Sequence, residues 1–357
     1  MSDAAPQKIA VLFVHGIEIA DPGYADHAIA LLQRHLSREL RAAAVDADEA
    51  MAVVPGYWSD VVALGQKDLL YAVLGSEGGW FFDILRWLVT RLNAGVQSAL
   101  IPFGAAAVAR QLPGLSKLHY PALRWVITDF VGDAIAYQIT PGERRLYDAI
   151  HTKLALALAD LARRAGPNAP LCVIAHSLGS VIASNYFYDL QAESGQHDAE
   201  RAPTGGKAKR PSLVPEPVRR VMGGTPLERG ETLTHFYTLG SPIALWALRY
   251  EGFGTPIHVP SPQLDGHHPG LPGEWINFFD RDDLVAYPLR GLGPRYEAAV
   301  REDCDVRLRG LLVRWNPLVH PWYWNDSRVM APIAAALART WQYVNRPVDV
   351  SLRAAGS

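Results

Sequence analysis

Apolar residues fall along the chain in two alternating patterns. Short continuous runs occupy residues 9–14, 52–54, 171–174, 235–239 and 275–279, the form a strand takes when both its faces are covered. Between them lie segments whose apolar residues recur at helical spacing. One covers about residues 25–43, with Ile29, Leu32, Leu36 and Leu40 on one side and Arg34, Arg38, Glu39 and Arg41 for the wet side. Another carries Leu146, Ile150, Leu154, Leu158 and Leu161 and stops at Gly166-Pro167; Thr140-Pro141-Gly142-Glu143 reads as its capping box. Residues 181–190 predict a buried helix, and a closing helix carries Ile333, Leu337 and Trp341. Strand and helix in alternation predict an α/β fold, a mostly parallel sheet with helices on both faces, in a single domain over residues 1–357.

Two stretches break the rhythm. Residues 64–118 hold Trp80, Phe81, Phe82, Trp87, Leu100, Ile101 and Phe103, and no charged residue occurs from Leu92 to Ala109. An inserted helical cap or lid is expected there. Its alternatives are helices buried in the main fold, a cover over an apolar pocket that touches a membrane surface through about residues 80–110, and a membrane span, against which Asn93, Gly95, Gln97, Ser98 and Pro102 argue. Residues 191–230 are polar and rich in Gly, Pro, Lys and Arg, and predict a long surface loop. The basic cluster at 205–211 is expected to be a solvated face rather than a phosphate or headgroup site.

Composition narrows the classes of function. With 34 basic against 36 acidic residues in 357, no net field steers the chain to nucleic acid, and no nucleic-acid-binding signature is present. Two cysteines make no disulfide framework, and the first residues lack the pattern of a secretory signal, so a cytoplasmic location, peripheral to a membrane if the apolar stretch touches one, is expected. There is no Walker A or G-x-G-x-x-G motif. Asp265-Gly266-His267-His268 lacks the spacing of a metal site and reads as a surface loop. No metal or other cofactor is expected.

The chemistry concentrates at Ala175-His176-Ser177-Leu178-Gly179, which follows the run 171–174 and precedes the helix at 181–190. Strand, sharp turn and helix with serine at the apex is the form of a nucleophile elbow, G-x-S-x-G with Ala175 in the first glycine's place. Small residues two before and two after the serine let strand and helix cross closely. The plainer alternative is a turn in which Ser177 caps the following helix. Functional groups of a parallel sheet gather at the carboxyl ends of its strands. There the sequence places His15-Gly16-Ile17, Ser177, Ser241, the aspartates 280, 282 and 283, and His320. A serine nucleophile needs a base and an acid that orients it, in the chain order serine, acid, histidine. His320 is the one histidine after the aspartates. Asp283, on the turn beyond its strand, fits the acid best; Asp280, which could instead fix the loop through backbone amides, and Asp282 are the alternatives. The oxyanion donors are expected to be the amides of Leu178 and of Ile17 or Glu18, with His15 and Gly16 shaping the first loop.

These residues resemble a known family. Val14-His15-Gly16 is similar to the oxyanion loop, the 175–179 motif to the elbow, and Thr238-Leu239-Gly240-Ser241-Pro242 to a strand end of α/β-hydrolases of the serine lipase and esterase type. Within that superfamily, Asp283-Leu284-Val285-Ala286-Tyr287 and His320 with Tyr323-Trp324 resemble DDHD-type phospholipases and their bacterial relatives, over about residues 8–60 and 140–345. The resemblance implies an α/β-hydrolase fold, Asp283 as the triad acid and a phospholipid substrate. The chain departs from it at Ala175 and at Glu18, where related loops often carry glycine. The expected activity is hydrolysis of an ester with an apolar acyl chain through an acyl-enzyme on Ser177. The alternatives are an amidase or thioesterase with the same triad, and a non-catalytic membrane-associating or partner-binding protein on the same scaffold.

Overall fold

The computed structural model describes residues 6–17, 21–62, 132, 134–138, 143–196, 213–308 and 317–346. The apolar stretch 64–118, residue Glu18 and the basic cluster at 205–211 lie outside them. The five apolar runs are strands: β1 (Ile9–Val14), β2 (Met51–Gly56), β3 (Leu171–His176), β4 (Leu233–Leu239) and β5 (Glu274–Phe279). A sixth, β6 (Glu302–Asp305), closes the edge. They form one six-stranded sheet in the order β2-β1-β3-β4-β5-β6, every pair parallel.

Strand geometry divides the core in two. Along β1, Ala10, Leu12 and Val14 face one layer and Ile9, Val11 and Phe13 the other. Helices α1 (Asp26–Glu39) and α5 (Ser327–Val344) cover the second face; α2 (Arg145–Ala165), α3 (Leu178–Glu193) and α4 (Glu216–Val221) cover the first. Strand β1 is followed by β2 on one side and flanked by β3 on the other, so the order reverses between β1 and β3. A crevice opens at the carboxyl ends of strands at such a point.

Two expectations are corrected, and one strand had no signal in the sequence. Helix α2 begins at Arg145, not at Thr140: Arg144 occupies the N-cap without a side-chain cap, and the Glu143 carboxylate accepts the Arg145 amide at 3.1 Å. Residues 191–230 are not all polar loop, because α3 runs to Glu193 and α4 lies within the stretch. Val214, Val218 and Leu227 there are buried in the first core, three apolar anchors spread too thinly among charged residues to make a periodic signal. Strand β6, of sequence Glu-Asp-Cys-Asp, has no apolar run; it is held by pairing with β5 along the sheet edge, where charged side chains keep further strands from adding. Among the described residues no helix is long and apolar enough to cross a membrane.

Four histidines, His15, His151, His176 and His235, are buried, and burial pushes them down, the first three to about 3 and His235 to about 4. An unfolded chain titrates its histidines near 6.5, so below that pH it binds protons the folded protein refuses. Stability is therefore full above about pH 6.5 and falls as the pH drops toward 4. Asp189, pushed up to about 7 by burial, acts in the opposite sense in part of this range, but it is one group against four. The melting temperature is expected to fall by roughly 5 °C or more between pH 7.5 and 4.5; a flat thermal profile over that interval would mean that these rings are protonated inside the fold.

Candidate active site

Ser177 stands between β3 and α3 with φ 53° and ψ −132°, a conformation that costs a side-chain-bearing residue of order 1–3 kcal/mol. The turn is held by the Ser177 amide, which donates to the Leu239 carbonyl at 2.9 Å. Two glycines permit it. A Cβ at Gly179 would lie 2.2 Å from the His15 carbonyl oxygen and 2.6 Å from that of Val14, because the first turn of α3 crosses directly over the end of β1. A Cβ at Gly16 would lie 2.6 Å from that of Ser177. Ala175, in the elbow's first small position, is fully buried between Val14 on β1 and Thr238 on β4.

Although Ser177 occupies the N-cap of α3, its side chain makes no cap hydrogen bond. Its Oγ lies instead 2.7 Å from Nε2 of His320, and His320 Nδ1 lies 2.8 Å from Oδ2 of Asp283. A carboxylate can only accept, so Nδ1 carries a proton, and Nε2, when it carries none, accepts from the serine hydroxyl. The capping reading of Ser177 is thereby corrected, and three side chains far apart in sequence form one donor chain. Burial pushes the Asp283 carboxyl up, but the His320 ring, the Val285 amide at 3.0 Å and the Tyr323 hydroxyl at 2.9 Å outweigh it and hold the group below its ordinary value. Asp283 is a buried carboxylate that stays charged.

Asp280 does something else. Its Oδ1 accepts the Asp282 amide at 2.9 Å and its Oδ2 the Leu308 amide at 2.6 Å, so it fixes the turn on which Asp283 is mounted. Asp282 is exposed, and its own amide is the one Asp280 holds. Ser241 is structural as well: its Oγ lies 2.7 Å from that of Ser180, which donates to the Ser177 carbonyl at 2.6 Å, so the loop after β4 is tied to the elbow.

His320 sits in the 3-10 turn Pro317–Asn325, and the elbow reaches over to hold it. His176, pushed down to about 3 by burial and by the neighbouring His320, is a neutral ring whose Nε2–H donates to the His320 carbonyl at 2.8 Å. The turn is packed against Gly240, which has φ 56°; a Cβ there would meet the Tyr323 ring at 2.7 Å and the His320 ring at 3.1 Å. Neither the grip of His176 nor that of Tyr323 is evident in the sequence, where the two residues stand 147 positions apart and only Tyr323's place three residues after His320 hints at a shared turn.

On the other side of Ser177 the first loop is equally fixed. The Trp58 amide donates to His15 Nε2 at 3.0 Å, so His15 carries its proton on Nδ1 and donates it to the Gly16 carbonyl at 2.6 Å. Trp58 stacks on the same ring at 4.8 Å and donates its indole N–H to the His15 carbonyl at 2.9 Å. A planar trans peptide with its carbonyl pinned to His15 presents the Ile17 N–H in the opposite direction. Leu178 is the first residue of α3, and an amide at that position has no intrahelical acceptor and lies at the positive end of the helix. The Leu178 amide is thus left without an acceptor inside its helix, and the Ile17 amide is turned away from the His15 ring.

Among the described residues no group of three or more His, Cys, Asp or Glu side chains is placed to hold a metal ion. His267 pairs with Glu231 at 2.8 Å, and His268 donates to the Asn168 carbonyl at 2.6 Å.

Because the strain at Ser177 belongs to its backbone, glycine should relieve it and alanine should not. Ser177→Gly is expected to be more stable than Ser177→Ala by about 1 kcal/mol in denaturant unfolding, although glycine ordinarily costs stability. Equal stability of the two variants would mean that the elbow is unstrained.

In comparison with known proteins, no family model matches the chain, and no curated protein or solved structure matches it either.

Proposed function

We propose that the chain is a serine hydrolase of the α/β-hydrolase type that cleaves a carboxylic ester with an apolar acyl group. The observation that carries this reading is the unbroken hydrogen-bonded chain from Ser177 Oγ through His320 to a buried, charged Asp283. A serine hydroxyl is a poor nucleophile until a base takes its proton, and a neutral imidazole 2.7 Å away is placed to do so. Ser177 Oγ would attack the ester carbonyl as its proton passes to His320 Nε2, with Asp283 stabilising the imidazolium. The amides of Leu178 and Ile17 would receive the negative charge that develops on the carbonyl oxygen. His320 would then protonate the departing alcohol, and the same ring would activate the water that releases the acyl group from Ser177.

The preference for an apolar ester is supported by the segments that follow β4 and β5. Leu284, next to Asp283, is 69% exposed, and Leu248, just past the short helix Ile243–Ala247 that follows β4, is 68% exposed. Leu245 on that helix, Tyr250 after it and Tyr287 after β5 add exposed apolar surface. A binding protein on the same scaffold would need none of Ser177, Asp283 or His320, and would be more stable without the strained elbow.

Ser177→Ala is expected to abolish labelling by a fluorophosphonate probe and to lower kcat/KM on p-nitrophenyl esters by at least about 10⁴-fold. Unchanged hydrolysis by that variant would overturn the nucleophile, and unlabelled, inactive wild-type protein would favour the binding reading. Across the acetate-to-palmitate series, kcat/KM should rise with acyl length. The two aspartates should separate cleanly. Asp283→Asn is expected to lower kcat by on the order of 10³–10⁴-fold with little loss of stability, since the asparagine stabilises the wrong histidine tautomer. Asp280→Asn should lose about 1–2 kcal/mol of stability and keep kcat within about tenfold. The reverse pattern would move the acid to Asp280.

A further inference from the structure

Tyr323 touches the positions of both candidate acids. Its hydroxyl donates to Asp283 Oδ2 at 2.9 Å, the same oxygen that receives His320 Nδ1 at 2.8 Å, and it accepts the Asp280 amide at 2.8 Å. The ring is fully buried, in the same 3-10 turn as His320 and three residues on, in the space left by Gly240. Burial first, and then the charge of Asp283, hold its phenol well above the ordinary value, so the hydroxyl remains a donor at every pH the protein would meet.

We propose that Tyr323 is a fourth, positioning member of the serine–histidine–aspartate system, which locks the Asp283 carboxylate toward His320 and moderates its pull on the imidazole. The inference rests on the hydrolase reading above. Two consequences follow from one oxygen serving two donors. First, Oδ2 is fixed between Nδ1 and the phenol while Oδ1 is fixed by the Val285 amide, so the carboxylate has no free rotation left. Second, a donor on Oδ2 draws charge from the oxygen that faces Nδ1 and weakens its stabilisation of a protonated ring. The hydroxyl therefore keeps the base available at lower pH than Asp283 alone would allow. Of the other titratable groups at this place, His176, whose ring lies 4.7 Å from that of His320, is neutral, and the Asp280 carboxylate accepts two backbone amides, neither of them from Tyr323.

The test is Tyr323→Phe, which removes the oxygen and keeps the ring. Rates are read on p-nitrophenyl butyrate and normalised to the serines that a fluorophosphonate titrates, so that partly folded protein does not count. The plateau kcat is expected to fall about tenfold with KM within about twofold, as loss of a hydrogen bond to a charged group implies. The acid limb of kcat/KM against pH should move to higher pH, because the unshielded carboxylate favours the protonated ring. Site-specific replacement of Tyr323 by 3-fluorotyrosine, a stronger donor in nearly the same volume, should move that limb to lower pH and retain kcat. This second protein carries the test if the phenylalanine variant does not fold. An acid limb that stays put in the variants, with kcat per titrated serine within about twofold of wild type, would overturn the proposal and leave Tyr323 as packing alone. Failure of the wild-type protein to be labelled at Ser177 or to hydrolyse any ester would instead defeat the hydrolase reading on which the proposal stands.

Discussion

Everything at the carboxyl end of the sheet depends on how closely the first turn of α3 crosses the end of β1. With Val14 and His15 carbonyl oxygens 2.6 and 2.2 Å from where a Gly179 Cβ would be, only a residue without a side chain lets the helix begin there. With Ser177 pressed on Gly16, the same is true of the loop. The crossing forces the positive φ at Ser177, and that φ lifts the side chain out of the helix cap and toward His320. A strained residue persists only when its surroundings over-determine it, and here both strand ends, the Leu239 carbonyl and the helix itself supply the constraint.

The electrostatics follow from depth. Burial in a low dielectric disfavours charge, and it makes His15 and His176 neutral rings whose hydrogen bonds run one way. Each can then serve as a fixed donor to a backbone carbonyl, His15 to Gly16 and His176 to His320, so the loops on either side of Ser177 are set by imidazoles that do not titrate near neutrality. Asp283 meets the same penalty and remains charged because four hydrogen-bonding or electrostatic contributions oppose it. The contrast between neutral rings and a retained carboxylate leaves the Asp283 charge directed at one ring.

What was legible in the sequence was what short-range pattern encodes. Strands β1, β3, β4 and β5 each contain a continuous apolar run because both their faces are covered, and the elbow shows because its small residues are adjacent in sequence. The order of Ser177, Asp283 and His320 could be read for the same reason, since each stands just beyond a recognisable element. Strand β6 could not be read: its Glu302, Asp303 and Asp305 are set by pairing with β5, which no local period reports. Thr140-Pro141-Gly142-Glu143 has the composition of a capping box and points to an early start for α2, while the first buried positions, Tyr147 and Ile150, call for a start nearer Arg145. The division of labour between Asp280 and Asp283 depends on a few ångströms within one turn, beyond the reach of spacing.

The economy of this site lies in using backbone as much as side chain. Asp280 holds two amides, Tyr323 receives a third, Ser180 and Ser241 tie the loop after β4 to the elbow, and His176 grips the carbonyl of the residue whose ring meets Ser177. Side chains on long loops ordinarily lose precision through loop motion, and a misplacement of about 1 Å can cost a hundredfold in rate. Clamping the loop's backbone near each functional group removes that freedom without requiring the loop itself to be short or regular. A surface built only to bind could tolerate far looser loops, so the density of these clamps around a single hydroxyl argues for chemistry at Ser177 more strongly than the three side chains taken alone.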